Sequence, residues 1–245
     1  MTSRARTLLW SAARHFLLLA GALVMLTPFI WMLSTASKPQ TEIFSSDLHL
    51  IPYHFALWDN LRTAFVKADL GRYLLNGLIV TVSIFGLQVL VALPAAYALA
   101  KLRFLGRDVL FALVVFCILI PPQATAIPVF LLLHKLGVLD SYAALVLPFT
   151  ISVFGIFLMR QFFKTVPDDL IDAARMDGIS EFGIVWRVML PTAIPAVTAF
   201  GIFSVVAHWN DYFWPLIVLN SEHLQTPPLA VAHFRNNEAA PTTAR

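Results

Sequence analysis

A recurring length constrains this chain more than any single motif. His15 to Ser34 is an apolar run of about the twenty residues that a helix needs to cross the hydrocarbon core of a bilayer. Runs of similar character follow at Tyr73 to Ala100, Asp108 to Leu133, Tyr142 to Phe163 and Ala193 to Leu219. In hydrocarbon every backbone N–H and C=O must be satisfied within the protein, so such runs fold as helices packed side by side. The expected fold class is therefore all-α, a polytopic membrane helix bundle with about five spans.

Composition agrees. Of 245 residues, 59% are apolar and 13% charged, and the mean hydropathy of +0.77 lies far outside soluble globular usage. The net charge of +3 does not point to nucleic acid, because the basic residues sit in short loops beside the apolar runs, where they set topology. The segments 1–14, 101–107 and 160–193 hold ten of the 17 Lys and Arg residues. That asymmetry places the N-terminus (1–14, with Arg4, Arg6 and Arg14) and the loop after the fourth span in the cytoplasm. The first run is read as a retained span, longer than the apolar part of a cleaved signal peptide. Cys117 is the only cysteine, so there is neither a disulfide framework nor a thiolate metal site.

The polar interruption Pro167 to Pro191, PDDLIDAARMDGISEFGIVWRVMLP, reads as two short helices around one turn. Asp168 or Asp169 is expected to cap the first helix, Gly178 to take a left-handed end, Ser180 to cap the second and Pro191 to close the unit. Ile179, Phe182, Val185, Trp186 and Met189 recur at helical spacing as one apolar face, opposite the polar Asp172, Arg175, Asp177 and Glu181. Such a hairpin is either read by a partner outside the bilayer or lies as an amphipathic connector on the lipid surface.

The fifth run holds His208, Trp209, Asn210 and Asp211, then Trp214 and Pro215. A carboxylate at membrane depth costs about 3 kcal/mol on insertion scales, so Asp211 is expected to face a partner, water or a pathway rather than lipid. Asn210 and Asp211 either bond to neighbouring helices or line a translocation path loosened by Pro215. His208 and Asp211 are two ligands three residues apart, too few for a metal site. Lys38 to Arg72 shows no sustained period and reads as an external loop, with Trp58 and Tyr73 at the interface. Prolines at 94, 121, 122, 128 and 148 predict helices that are not straight.

Asp172-Ala173-Ala174, Asp177-Gly178, Leu190-Pro191 and Pro195 resemble the EAA loop of permease subunits in ABC importers, with Asp172 where Glu is usual. The string Trp209-Asn210-Asp211-Tyr212-Phe213-Trp214-Pro215-Leu216 resembles the segment after that loop in the carbohydrate type, similar to maltose permease subunits. Ser37-Lys38-Pro39 with Glu42-Ile43-Phe44, then Asn76, resembles the first external segment of the same type. The resemblance implies a permease transmembrane domain over 15–229 whose loop, through Asp172, Ala173, Ala174, Asp177, Gly178 and Glu181, couples to a cytoplasmic ATPase. It also implies a translocation path or gate around Trp209, Asn210, Asp211 and Pro215. The implied partners are a second permease subunit, a dimer of ATP-binding subunits, an extracytoplasmic sugar-binding protein and membrane lipid, with no cofactor, in a bacterial inner membrane. The Leu224 to Leu229 segment corresponds to an external loop that reaches toward the binding protein.

A sixth span and a cytoplasmic tail are implied as well, but the tail at 230–245 is polar, ends in EAAPTTAR and holds no run of spanning length. Truncation, an altered reading frame or an incomplete subunit would each explain this, and a five-span product is expected to leave its C-terminus outside and to assemble poorly. No Gly-x-x-x-x-Gly-Lys-Ser/Thr loop occurs, so ATP hydrolysis is expected in a separate subunit. The rival readings are an ion-gradient-driven secondary transporter, for which inverted repeats are expected and none is visible, and an intramembrane enzyme, for which no nucleophile or metal pair assembles.

Overall fold

The structure, a computed structural model, describes residues 3–43 and 49–239. Phe44 of the first external motif and the last six residues of the polar tail lie outside the described residues. All regular elements among the described residues are helical. The chain divides into two units, Met1–Asp69 and Leu70–Arg245.

In the first unit, α1 (Ser3–Ala36) carries the first apolar run without a break, although Pro28 lies inside it. None of its residues from Trp10 to Ala36 is buried, as suits a helix whose solvent is lipid. A short helix, α2 (Gln40–Ile43), follows. Glu42 then gathers the next segment by accepting from the ring nitrogen of His49 at 2.6 Å and from the backbone N–H groups of Tyr53 at 2.9 Å and His54 at 3.3 Å. The expected external loop contains a ten-residue helix, α3 (Leu57–Val66). Asn60 on that helix donates to the carbonyls of Ala36 and Lys38, both at 2.9 Å. The pattern reading missed this helix because its apolar positions bury nothing: Trp58, Phe65 and Val66 are all exposed.

The second unit is organised by α4 (Leu70–Lys101), a 32-residue helix with Pro94 inside it. At about 1.5 Å per residue it exceeds the thickness of a bilayer core. The helices α5 (Arg107–Ile118) and α6 (Ala126–Lys135) meet at a 98° bend across Pro121 and Pro122. Extended Pro121 starts a 3-10 turn over Pro122–Thr125, so neither proline has to break an α ladder from within. Next come α7 (Tyr142–Val146) and α8 (Val153–Phe163), with a 42° bend near Pro148. The hairpin contributes α9 (Asp168–Met176), α10 (Glu181–Ile184) and α11 (Leu190–Thr192). Finally α12 (Ile194–Trp209), α13 (Phe213–Val218) and α14 (Pro227–Ala239) complete the unit. Two helices are long and apolar enough to cross a membrane alone, or up to five if each bent pair counts as one span.

Three hydrophobic clusters share α4 as their axis, the smallest of them Ala92 and Leu99 with Ile156 of α8. Toward its C-terminal end, Leu93, Ala96 and Tyr97 pack with Phe163, the hairpin and Phe200 of α12. Toward its N-terminal end, Val80 and Ile84 pack with α6, α7, Trp214 of α13 and Leu229. The fifth expected span is not one rod: α12 ends at Trp209, its C-cap is Asn210, and α13 is a separate short helix. Sixteen residues rise only about 24 Å, so α12 alone falls short of a full crossing. The segment expected to be an external loop also differs. Gln225 and Thr226 are buried, and α14 begins at Pro227 and packs Leu229 into the core.

Candidate functional site

The hairpin is built as the turn chemistry predicts, with two corrections. Gly178 sits at φ +76°. Its N–H donates to the Arg175 carbonyl and the N–H of Ile179 to the Ala174 carbonyl, both at 3.0 Å, which is a Schellman closure of α9. Ser180 caps α10 by accepting from the Gly183 N–H at 3.2 Å. The first correction is at the N-terminus of α9, where Pro167 occupies the cap position and no side chain caps the helix. Asp168 is instead inside the first turn, and its carboxylate takes the ammonium of Lys101 at 2.6 Å. Lys101 also donates to the Val166 carbonyl at 2.6 Å, so a long-range cation displaces the local cap.

The second correction concerns the second helix. It does not close at Pro191 but runs from Glu181 to Thr192 and turns by 82° into α12 at Ala193. Its middle, Val185–Met189, is a π turn in which the Leu190 N–H reaches back to the Val185 carbonyl. A wider turn just ahead of Pro191 accommodates a residue that has no N–H to give. The apolar stripe also differs from the expected one, upstream of that turn. Val185 and Met189 are buried as expected and Ile179 and Trp186 pack against the core, but Ile184 is also fully buried while Phe182 is 63% exposed.

The inner face of the hairpin, Ile171, Ala174, Ile184, Val185 and Met189, is thus seated on α4 and α8. The outer face presents Ala173, Asp177, Gly178, Phe182 and Met176, the last 88% exposed. Three charged groups tie the two helices together. Arg175 donates from Nη1 to Asp172 Oδ1 at 3.0 Å and from Nε to Glu181 Oε1 at 2.8 Å. The phenol of Tyr97, buried in α4, donates to Glu181 Oε2 at 2.5 Å. The Arg175 hydrogen bond, then the one from Tyr97, hold the Glu181 carboxyl below the ordinary glutamate range, and the same pairing raises Arg175. Lys101 lowers Asp168 in the same way. Of the expected residues, Asp172 and Glu181 converge on Arg175, whereas Ala173, Asp177 and Gly178 stand exposed around the turn. Lys101 was read only as one of the basic residues that set topology, and Tyr97 was given no role, since no local signal ties them to residues more than sixty positions away.

Asn210 and Asp211 of the second expected constellation bond locally rather than to neighbouring helices. Asn210 spends its amide on the Val206 carbonyl of its own helix at 2.8 Å. Asp211 accepts from the Trp214 N–H at 3.3 Å and so helps start α13. The bonds to neighbouring helices come from other residues. Trp214 Nε1 donates to the Ala144 carbonyl at 2.9 Å. Gln88 on α4 donates to the Phe149 carbonyl at 2.9 Å, accepts from the Ser204 hydroxyl at 2.6 Å and lies 3.3 Å from His208. Asp211, His208 and Pro215 border a cavity of about 10 Å³ together with Thr226. Trp209 lies near Gly77 of α4.

Residues 88–242 match the family of binding-protein-dependent transport system inner membrane components. The chain belongs to that family. Among curated inner membrane components, the chain is 30% identical over 234 residues to the sn-glycerol-3-phosphate transport system permease protein UgpE of Yersinia enterocolitica, covering 93% of this chain and 83% of that protein. It is 33% identical over 213 residues to the arabinooligosaccharides transport system permease protein AraQ of Bacillus subtilis, covering 86% of this chain and 76% of that protein. A chain in the crystal structure of a bacterial ABC transporter involved in the import of the acidic polysaccharide alginate superposes with a TM-score of 0.80 at 27% identity, covering 100% of this chain and 85% of that chain. This inner membrane component is therefore an ABC permease of the multi-pass membrane type, and the matched segment contains both the hairpin and the Trp-Asn-Asp string.

Proposed function

We infer that the chain is the permease subunit of an ATP-driven carbohydrate importer, that it forms the translocation path with a second permease, and that the 167–191 hairpin docks into a cytoplasmic ATPase dimer while an extracytoplasmic binding protein delivers substrate. The observation that carries the docking reading is the two-sidedness of the hairpin: its inner face is seated in the bundle core, while Met176, Phe182 and the Asp172 carboxylate are left outside. A lipid-surface connector would instead turn its apolar side toward the bilayer and its charges to water. Asp172 offers the partner a carboxylate one methylene shorter than the usual Glu.

The relatives' substrates, sn-glycerol-3-phosphate, arabinooligosaccharides and alginate, share dense hydroxyl groups. Hydroxyl-rich solutes are therefore the substrate class, and Trp209, Asn210, Asp211 and Pro215 border the path at the level where α12 gives way to α13. The N-terminus lies in the cytoplasm. The test is co-purification and uptake with the cognate subunits in proteoliposomes. Wild-type chain is expected to retain the ATPase and to support uptake that stops on ATP depletion. Asp172→Lys is expected to release the ATPase, and uptake driven by an ion gradient without ATP would overturn the reading in favour of a secondary transporter.

A further inference from the structure

Resting on the docking reading, the geometry points to a polar relay, Asp172–Arg175–Glu181–Tyr97, that carries the state of the docked ATPase from the outer face of the hairpin to α4. Each link is a contact already described. Asp172 is on the outer face, its side chain 65% exposed, where a partner's cation would meet it. Arg175 divides its guanidinium between Asp172 and Glu181, with Nη2 also 3.4 Å from Glu181 Oε2. Glu181, in the first turn of the second helix, has one oxygen on Arg175 and the other on Tyr97. Tyr97 belongs to α4 and is only 2% exposed.

The arrangement is a competition for one cation. A partner cation on Asp172 withdraws that carboxylate from Arg175, which then turns wholly to Glu181. A stronger Arg175 pair draws charge from the oxygen that accepts the Tyr97 hydroxyl, because bonds that share an ionised group polarise one another. Docking thereby loosens the Tyr97 tie, and release restores it. Lys101 lies one turn beyond Tyr97 on the same helix and holds the start of α9 through Val166 and Asp168. This second tie takes no part in the competition, so the hairpin pivots on Lys101 while the Tyr97 end tightens or slackens. Tyr97 is in this sense a positioning residue, acting through Glu181 without touching either ATP or the transported solute.

Tyr97→Phe removes one oxygen and keeps the ring in the core. In the full importer reconstituted with its ATPase, second permease and binding protein, this variant is expected to keep the ATPase bound on co-purification and to unfold within a few degrees of the wild-type temperature. Solute moved per ATP hydrolysed is expected to fall roughly tenfold, the factor carried by one hydrogen bond to a charged group. Glu181→Gln is expected to lower the same ratio, and the double variant Tyr97→Phe with Glu181→Gln to be no worse than the poorer single variant. A wild-type ratio in Tyr97→Phe, or losses that multiply in the double variant, would overturn the relay while leaving the docking reading intact. A wild-type chain that never retains the ATPase would overturn both.

Discussion

At the scale of single residues, the hairpin turn depends on a glycine and the turn before Ser141 on a carboxylate. Nothing lies within 4 Å of where a Cβ on Gly178 would be, so Gly178→Ala meets no clash and is penalised only by its positive φ. That costs about 1 kcal/mol, which corresponds to roughly 2–4 °C in the thermal midpoint of a chain of this size. Gly77→Ala acts by crowding, because its Cβ would stand 2.7 Å from the ring of Pro227, and it is expected to destabilise by more than Gly178→Ala in the same thermal unfolding experiment. Asp140, itself at φ +55°, accepts from the hydroxyl and the N–H of Ser221 and from the N–H of Asn220, and these bonds hold its carboxyl below the ordinary aspartate range. A depressed carboxylate stabilises the fold above its unfolded pKa, about 3.9, and that contribution is lost as pH falls through the lower folded value. Asp140→Asn is therefore expected to lower the thermal midpoint at neutral pH and to flatten its decline below about pH 4. Gly178 and Ser180 were legible in the sequence because their roles are decided within four residues. Asp168 was misread as a cap because its actual partner, Lys101, arrives from another helix.

At the scale of elements, Pro121 and Pro122 marked the break between α5 and α6, whereas nothing marked the end of α12 or what holds the pieces. A run of apolar residues reports burial in lipid or protein but not straightness, so Ala193 to Leu219 read as one span although α12 stops at Trp209. The π turn at Val185–Met189 was hidden as well, since periodicity assumes 3.6 residues per turn and this turn is wider. The docking of α14 depends on Asn76, fully used within the bundle: its amide donates to the carbonyls of His223 and Gln225 at 2.9 Å, and its oxygen accepts from the Tyr142 hydroxyl at 2.6 Å. Asn76→Ala leaves those groups without their partner, at a cost of about 1–3 kcal/mol for each one that stays buried. Faster amide hydrogen exchange at Ala230, whose N–H bonds to Thr226, is the expected readout, and unchanged protection there would show that the packing of Pro227 and Leu229 suffices to hold the helix.

At the scale of the whole molecule, topology is the expectation on which the rest depends. The turn before Ser141 and the hairpin at 167–191 are separated by the single bent pair of α7 and α8. With Cys117 replaced by Ala, Met176→Cys is expected to react with an impermeant thiol reagent only from the cytoplasmic face, and Leu136→Cys only from the opposite one. Labelling of Met176→Cys only from the opposite face would remove the hairpin from the cytoplasmic side. The family was legible because its signature residues lie in two short strings, whereas Gln88 with Ser204 and Trp214 with the Ala144 carbonyl pair residues 70 or more positions apart and left no local trace. The π turn has a consequence of its own. It holds one residue more than the ordinary ladder requires, so the second hairpin helix contains slack. Drawing that slack in would advance everything past Met189 by about 1.5 Å and swing it by about 100° around the axis, with Ala193 as the corner through which a small push from below becomes a rotation of α12.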